Sequence, residues 1–224
     1  MDGVLLASPH EIAWREALRG FANPVRFTTA MYQAQVAGKP RLAGALAALE
    51  VLGVSDPAGK AARYADRKQQ VLEELIRSGG VRAFPDALRF VDALATIGWP
   101  MAVASSSKNA NEMMRRVELP SGRALLEVFA VNVCGRDLAH GKPDPEIFLL
   151  AASELQVPAS HCLVIEDARA GIEAARSGKM TGLGVARLHD EASLRGAGAN
   201  LVVRSLDDVA VDALANGRLA RRGT

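Results

Sequence analysis

The sequence has few aromatic residues, two cysteines and almost no net charge. Phe, Trp and Tyr make up 4% of the 224 residues, and the formal net charge at pH 7 is +2. A charge this small, without a basic stripe interleaved with aromatics, excludes nucleic acid as an expected partner. No segment approaches the roughly 20 apolar residues that cross a bilayer, and no basic flank precedes an apolar run at the N-terminus. We therefore expect neither a membrane span nor a signal peptide.

The two cysteines, Cys134 and Cys162, are far apart, and each lies in an apolar run rich in β-branched residues. Their spacing does not suggest a zinc site. We expect both to be buried, reduced thiols, and the protein to be cytoplasmic.

Hydrophobic periodicity divides the chain into two kinds of segment. Between residues 11 and 78 the pattern stays helical, most clearly in ALAALEVLG and ADRKQQVLEELIRSGG. After Gly80, short apolar runs alternate with amphipathic helices, which predicts a parallel sheet covered by helices on both faces. We therefore predict an α/β fold. Its core is a Rossmann-like three-layer domain formed by residues 1–10 and 79–224, and residues 11–78 form an inserted helical domain.

The stretch SPHEIAWREALRG carries signals for both ends of a helix. Ser8 suits the N-cap, Pro9 suits the first helical position, and Glu11 can close a capping box with Ser8. Gly20 can end the helix.

Polar side chains follow three of the predicted strands. Ser105 to Ser107 follow MAVA, Glu166 and Asp167 follow CLVI, and Lys142 lies in the loop after FAVNVCG. In parallel α/β sheets, ligands bind beyond the carboxyl ends of the strands. Adjacent acids repel each other unless a cation neutralises them, and their oxygens suit Mg²⁺. The free N–H groups of the ASSSKN loop suit an anion. The combination predicts a phosphate-and-metal site.

Each of these segments also has a plainer interpretation when taken alone. Acids are favoured at any helix N-terminus by the helix dipole. Lys142 could be an ordinary loop charge, and the serines could simply cap a helix.

Taken in order, the segments resemble the four motifs of the haloacid dehalogenase superfamily of phosphohydrolases and phosphomutases. MDGVL resembles the end of the first motif, DxDGV, which makes Asp2 the general acid/base. VASSS resembles the second motif, which makes Ser105 the ligand of the transferring phosphoryl group. Lys142 matches the third-motif lysine, and CLVIEDARAGIEAARSG matches the fourth motif. The resemblance implies this superfamily's fold, with the helical insert as its cap domain. It also implies a Mg²⁺ ion held by Asp2, Glu166 and Asp167.

Within the superfamily, the chain resembles the β-phosphoglucomutase subfamily. HEIAW implies that His10 lies near the acid/base. GKPR and ADRKQQ place Arg41 and Lys68 where the subfamily grips the non-reacting phosphate. The alternative for His10 is a packing role at the start of the helix. Without the resemblance, Arg41 and Lys68 would be interpreted as solvated surface charges. Further contacts with phosphate are implied for Ser106, Ser107, Lys108 and Asn109.

The chain departs from the family pattern at a few positions. Ala7 and Ala168 replace a common aspartate and a common serine, which looks tolerable. The nucleophilic aspartate of the first motif is expected immediately before Met1, at the end of a central strand of the sheet. We therefore expect the numbered sequence to be an N-terminally shortened form of an active enzyme.

Three functions remain open at this point. A mutase that converts β-glucose 1-phosphate to glucose 6-phosphate is favoured by Arg41, Lys68 and the SKN triplet. A phosphatase of small sugar phosphates represents the superfamily's commonest activity. A silent phosphate- or metal-binding protein would follow from loss of the nucleophile. The expected ligand is a small sugar phosphate, the expected cofactor is Mg²⁺, and the expected assembly is a monomer.

Overall fold

The computed structural model describes residues 1–37 and 39–223, which form two compact units. The helical unit is Ser8–Arg82. The α/β unit consists of Met1–Ala7 and the chain from Ala83 onwards. The boundaries expected from the sequence, residues 11 and 78, lie a few residues inside those of the helical unit.

The helical unit is built around an apolar core that includes Trp14, Leu18, Phe27, Leu49 and Tyr64. The Tyr64 hydroxyl donates to the Trp14 carbonyl at 2.8 Å, and the centroids of their rings are 5.3 Å apart. The first and last helices of the unit are therefore joined by both a hydrogen bond and ring packing. Its elements are α1 (His10–Ala17), a 3₁₀ turn (Pro24–Arg26), α2 (Thr29–Met31) continuing as a π-helix (Tyr32–Val36), α3 (Arg41–Val51) and α4 (Pro57–Arg77).

The predicted cap of α1 is wrong. The N-cap is Pro9 and not Ser8, and no side-chain hydrogen bond caps the helix. The carboxylate of Glu11 instead accepts hydrogen bonds from the Arg15 guanidinium and, at 2.7 Å, from the Thr29 hydroxyl. Glu11 therefore joins α1 to the start of α2 and does not close a capping box.

The α/β unit consists of short strands and helices that alternate along the chain, as the sequence predicts. Its strands are β1 (Leu6–Ala7), β2 (Arg82–Ala83, at the junction of the units), β3 (Ala102–Val103), β4 (Val131–Asn132), β5 (Leu163–Glu166), β6 (Thr181–Val185) and β7 (Leu201–Val203). Its helices are α5 (Pro85–Thr96), α6 (Ala110–Met114), α7 (Glu146–Leu155), α8 (Arg169–Ser177), α9 (Glu191–Ala197) and α10 (Val211–Ala215). Short 3₁₀ turns lie at Leu125–Val128, Ala159–His161 and Leu206–Asp208.

The main strands pair in parallel, which confirms the predicted fold class. β3 pairs with β4, with Ala102 opposite Val131. β6 lies between β5 and β7, with Leu163 opposite Thr181 and Leu183 opposite Leu201. Buried side chains of α7 and α8 belong to the same apolar cluster as Val164 of β5. The carboxyl ends of these strands therefore carry the loops that hold the predicted site.

An apolar groove of about 400 Å³ lies between the two groups of parallel strands. Residues 101–104 around β3 line one part of it, Leu163–Glu166 of β5 line another, and Met1 also faces it. Within the described part of the chain, β3 is paired with β4 alone and β5 with β6 alone. One edge of each strand is thus left without a strand partner among these residues.

Two further sequence expectations concern the thiols and the membrane. Cys134 and Cys162 are free, as expected, but they are half-buried and not fully buried. Burial raises the pKa of the Cys134 thiol to about 11 and raises that of Cys162, which keeps both protonated at neutral pH. Across the described ranges, we find no helix that combines the length and apolarity of a membrane span.

Candidate active site

Glu166 and Lys142 form a buried ion pair at the carboxyl end of β5. Glu166 is the last residue of the strand and is 4% exposed. The Lys142 ammonium donates to its carboxylate and lies 4.9 Å from the centroid of the Phe148 ring. Burial opposes ionisation of Glu166, but the charge of Lys142 and its hydrogen bond hold the pKa of Glu166 below its usual range. The pair thus holds the Lys142 side chain in a fixed position beside the strand end.

The pKa of Asp167, the next residue, is shifted in the opposite direction. Burial, together with the negative charges of Glu166 and Asp2, raises the pKa of Asp167 to about 8. A bound cation offsets the repulsion between a carboxylate and the carboxylates around it. Hard oxygen atoms of this kind, carboxylate and backbone carbonyl, are the ligands that Mg²⁺ prefers. Asp2, Glu166 and Asp167 therefore fit a divalent cation.

Asp2 lies in a tight loop that leads into β1. The Gly3 N–H donates to the Leu6 carbonyl at 2.8 Å and to Oδ1 of Asp2 at 3.1 Å. The Leu5 N–H donates back to the Met1 carbonyl at 2.8 Å. Gly3 has φ +70°, and a Cβ placed on it would lie 1.8 Å from Oδ2 of Asp167. Only glycine at this position lets the backbone beside Asp2 approach Asp167 so closely.

Ser105 stands at the end of β3 and is 8% exposed. Its hydroxyl accepts a hydrogen bond from the Ser107 N–H at 3.2 Å, and its carbonyl accepts one from the Gly135 N–H at 2.8 Å. The Ser107 hydroxyl in turn accepts from the Asn109 N–H at 3.3 Å, just before α6. The two side-chain-to-backbone bonds shape the loop after β3, and the backbone bond from Gly135 connects this loop to the segment after β4.

The other residues expected in this loop are more solvent-exposed. Ser106 is exposed, and Lys108 forms an exposed ion pair with Asp137 at 2.7 Å. Exposed pairs of this kind contribute little to stability, so Lys108 is held only loosely.

The residues expected to bind the second phosphate lie in the helical unit. Lys68 is 4% exposed, with Nζ 2.8 Å from Nδ1 of His10 and 5.1 Å from the centroid of the Trp14 ring. Lys68 is therefore not the solvated surface charge of the plainer interpretation. Arg41 is the first residue of α3 and is exposed.

A second group of possible metal ligands, His140, Asp144 and Glu146, lies in the loop before α7 and in the first turn of that helix. The Glu146 carboxylate accepts hydrogen bonds from the N–H groups of Ala139 and His140, at 3.1 and 2.7 Å. Asp144 accepts from the Glu146 N–H at 2.9 Å. These acids are thus engaged in fixing the loop that carries Lys142.

The sequence interpretation missed a buried ion pair next to the Asp2 loop. Arg187, after β6, donates to Asp86 at 2.8 Å and also contacts the carbonyls of Gly3 and Val4. The available signal was two charged residues next to apolar runs, in FPDALRF and LGVARL. That pattern does not predict a contact between the two residues.

Comparison with known proteins agrees with this arrangement. Residues 1–179 match the family described as haloacid dehalogenase-like hydrolase. A phosphorylated carbohydrates phosphatase from Thermotoga maritima is 31% identical, over 91% of this chain and 91% of its own length. A β-phosphoglucomutase from Mycobacterium bovis is 30% identical, over 93% of this chain and 88% of its own. The crystal structure of an archaeal β-phosphoglucomutase from Pyrococcus sp. Strain ST 04 superposes with a TM-score of 0.76 and 30% identity, covering 97% of this chain and 96% of that one. The chain therefore belongs to the haloacid dehalogenase-like hydrolase family of enzymes, in its β-phosphoglucomutase-like subfamily.

Proposed function

We propose that this enzyme catalyses Mg²⁺-dependent phosphoryl transfer on a sugar phosphate, as a mutase that converts β-glucose 1-phosphate to glucose 6-phosphate. The observation that carries the proposal is the cluster at the end of β5. There, buried Glu166 and half-buried Asp167 lie beside the Asp2 loop and the Lys142 ammonium. Clusters that combine acids and a cationic side chain at strand ends are suited to binding a metal and a phosphate together.

The cofactor would be held by the Glu166 and Asp167 carboxylates and the backbone carbonyl of Asp2. When bound, Mg²⁺ supplies positive charge that offsets the negative charge of the transferring phosphoryl group. Asp167 must be ionised for this role. Its raised pKa reflects burial first, and then the negative charges of Glu166 and Asp2 beside it.

Lys142 and Ser105 would bind the oxygens of the transferring phosphoryl group. Lys142 is oriented by Glu166, so its remaining N–H bonds are available to a ligand without reorganisation. Ser105 accepts a backbone N–H with its oxygen, which leaves its own hydroxyl proton to donate to a phosphate oxygen. Further donors in the same loop are Ser106, Ser107, Lys108 and Asn109.

Asp2 would act as the general acid and base. Its carboxyl gives a proton to the sugar oxygen as the P–O bond breaks, and in the second half of the reaction it takes a proton from the attacking hydroxyl. In the helical unit, His10 and Lys68 form a preorganised pair. We assign Arg41 and Lys68 to the non-reacting phosphate of the sugar, and His10 to the support of Asp2.

We further propose that the attacking carboxylate comes from a strand that occupies the groove between β3 and β5. The groove lies between the two strand ends that bear Ser105 and Glu166, and Met1 lines it. A strand parallel to both would present its last residue at the same edge of the sheet. An aspartate there would attack phosphorus, form an aspartyl-phosphate and release the protonated sugar hydroxyl. In the mutase, a hydroxyl of a bound sugar phosphate would take this phosphoryl group, and the phosphate already on that sugar is the non-reacting one.

A second candidate function is a sugar-phosphate phosphatase. The 31% identity with the Thermotoga maritima phosphatase over 91% of the chain favours it. The chemistry up to the aspartyl-phosphate is the same, and water replaces the second sugar hydroxyl as the acceptor.

The deciding experiment follows glucose 6-phosphate and free phosphate formed from β-glucose 1-phosphate by a chain extended upstream of Met1. We expect Arg41→Ala to lower isomerisation by at least tenfold while sparing slow phosphate release. Loss of a desolvated Arg–phosphate contact worth about 2–3 kcal/mol would cost roughly 30- to 150-fold in kcat/KM. The matched control is Arg77→Ala, an exposed arginine at the end of α4. Free phosphate from several sugar phosphates without isomerisation would establish the phosphatase. No turnover of any sugar phosphate would establish a silent binding protein.

A further inference from the structure

Arg187, which follows β6, connects its own segment to two others: the loop at Gly3 and Val4, and the start of α5 at Phe84 and Asp86. Its guanidinium donates to the Val4 carbonyl at 3.1 Å and to Oδ2 of Asp86 at 2.8 Å, with a longer contact of 3.4 Å to the Gly3 carbonyl. It also lies 4.0 Å from the centroid of the Phe84 ring. The Arg187 side chain is 14% exposed, so these contacts are made largely away from water.

Asp86 anchors Arg187 to the body of the α/β unit. It lies in the first turn of α5, and Oδ2 also accepts from the Leu206 N–H at 2.7 Å and from the Ser205 hydroxyl at 3.2 Å. Burial opposes ionisation of Asp86, but the hydrogen bonds from Arg187 and Leu206 outweigh it and hold the pKa of Asp86 below its usual range. A buried pair with this many partners has one well-defined geometry.

We propose that Arg187 is a positioning residue for the loop that carries Asp2. It fixes the Gly3 and Val4 carbonyls, which follow Asp2 directly. It thereby sets where the Asp2 carbonyl and carboxyl stand relative to Glu166 and Asp167. The inference rests on the proposed function, because it assigns Arg187 to the same metal and proton-transfer site.

The loop that carries Asp2 has little room to move without disturbing the expected metal site. The space between Gly3 and Asp167 cannot admit even a Cβ, so the loop has little freedom to move toward the acids. Movement in the other direction separates the Asp2 carbonyl from the other expected metal ligands. Displacements of about 1 Å at catalytic groups cost on the order of 100-fold in rate. The other end of the loop is held by the Phe84 N–H, which donates to the Leu5 carbonyl at 2.9 Å.

The test compares Arg187→Lys with wild type, both as the chain of residues 1–224. Lysine keeps a positive charge near Asp86 but has no planar fork to reach the Asp86 carboxylate and the loop carbonyls together. Mg²⁺ affinity is measured by isothermal titration, and amide exchange of Gly3, Leu5 and Leu6 is measured by NMR without metal. We expect Mg²⁺ affinity to fall at least fivefold and the loop amides to exchange at least tenfold faster.

The matched control is Arg89→Lys. Arg89 forms a similar two-pronged contact with Asp207, at 3.0 and 2.6 Å, but the pair is exposed and does not contact the Asp2 loop. Both readouts should remain at wild-type values in this variant.

Unchanged Mg²⁺ affinity and unchanged loop exchange in folded Arg187→Lys would overturn the proposal. If wild type itself binds no Mg²⁺, the proposed metal site is wrong, and loop exchange alone decides the role of Arg187. If Arg187→Lys does not fold, Phe84→Leu replaces it, because this change removes the ring beside the guanidinium and leaves the ion pair. We expect about a twofold change in the same two readouts for Phe84→Leu, and no change in either would contradict the inference.

Discussion

Gly3 and Asp167 approach so closely that a Cβ on Gly3 would stand 1.8 Å from Oδ2 of Asp167. The two residues belong to the loop that carries Asp2 and to the end of β5, which are distant in sequence. A residue without a side chain is therefore what allows the proposed acid/base and the proposed metal ligands to share one site.

Gly3→Ala should destroy this arrangement. The new methyl group must displace the Asp167 carboxylate, and φ of +70° adds backbone strain. We expect Mg²⁺ affinity, measured by isothermal titration, to fall at least tenfold and the melting temperature to fall. The control is Gly122→Ala, where φ is +83° but nothing lies within 4 Å of the added Cβ. The control should show only the backbone cost of about 1 kcal/mol and normal Mg²⁺ binding. Equal Mg²⁺ affinity in the two variants would contradict the assignment of Asp167 to the metal.

A second prediction removes the proposed ligand itself. Asp167→Ala should abolish most Mg²⁺ binding at pH 7, whereas Asp212→Ala, an exposed acid in α10, should leave it unchanged. The reason is that Asp167 lies in one cluster with Asp2 and Glu166, where burial and the charges of these two acids raise its pKa. Isothermal titration of the wild type and both variants measures the effect. If Asp167→Ala binds Mg²⁺ as well as wild type does, the ion lies elsewhere or does not bind specifically.

The Arg187–Asp86 pair predicts a pH dependence of stability. The pKa of Asp86 is lowered from its ordinary value of 3.8, so its ionised form stabilises the folded state above that pH. This stability is lost as the pH falls through the lower pKa of the folded state. Asp86→Asn should lower the free energy of unfolding by about 2–3 kcal/mol at pH 7, because it leaves a buried arginine without its counter-charge. The difference from wild type should shrink below about pH 3.8.

Urea unfolding at pH 7 and at pH 3 measures both values for Asp86→Asn. Asp207→Asn is the control, since it removes the partner of Arg89 in an exposed pair and should cost less than about 1 kcal/mol. A difference between Asp86→Asn and wild type that stays constant over this pH range would show that the charge of Asp86 does not stabilise the fold.

The sequence was sufficient to predict the order and type of the main elements. Strand–helix alternation after Gly80 is a local pattern, and parallel pairing follows from it because the connecting helices return the chain to the same end of the sheet. The same reasoning brings Glu166, Asp167 and Lys142 to one edge of the sheet. The four motifs then relate these residues to a known family.

The remaining features depend on contacts that no local pattern encodes. Arg187 and Asp86 are 101 residues apart in sequence, so neither the ion pair nor its contact with the Asp2 loop follows from the residues around each partner. The wrong N-cap at Ser8 has a similar cause, because the Glu11 carboxylate binds Arg15 and Thr29 in place of the helix end. In both cases the structure depends on which partner a side chain binds, and the residues next to it in sequence do not determine that partner.

The last prediction concerns the apolar groove between β3 and β5. Residues 101–104 and Leu163–Glu166 line the groove from two strand edges that have no strand partner in the described chain. Each buried backbone group without a hydrogen bond costs about 1–3 kcal/mol, against a typical stability of roughly 5–15 kcal/mol. A strand in the groove would satisfy these groups and cover the apolar side chains.

We therefore predict that about seven residues placed before Met1, apolar and ending in aspartate, form this strand and support phosphoryl transfer. The extended chain should melt at a markedly higher temperature than the numbered chain and should form an aspartyl-phosphate with a sugar phosphate. An extended chain with Asn in place of that Asp separates the two effects, because it should keep the gain in melting temperature and lose phosphoryl transfer. If the numbered chain turns over sugar phosphates as fast as the extended chain, the nucleophile is not supplied in this way. The silent binding protein then becomes the better explanation of the site.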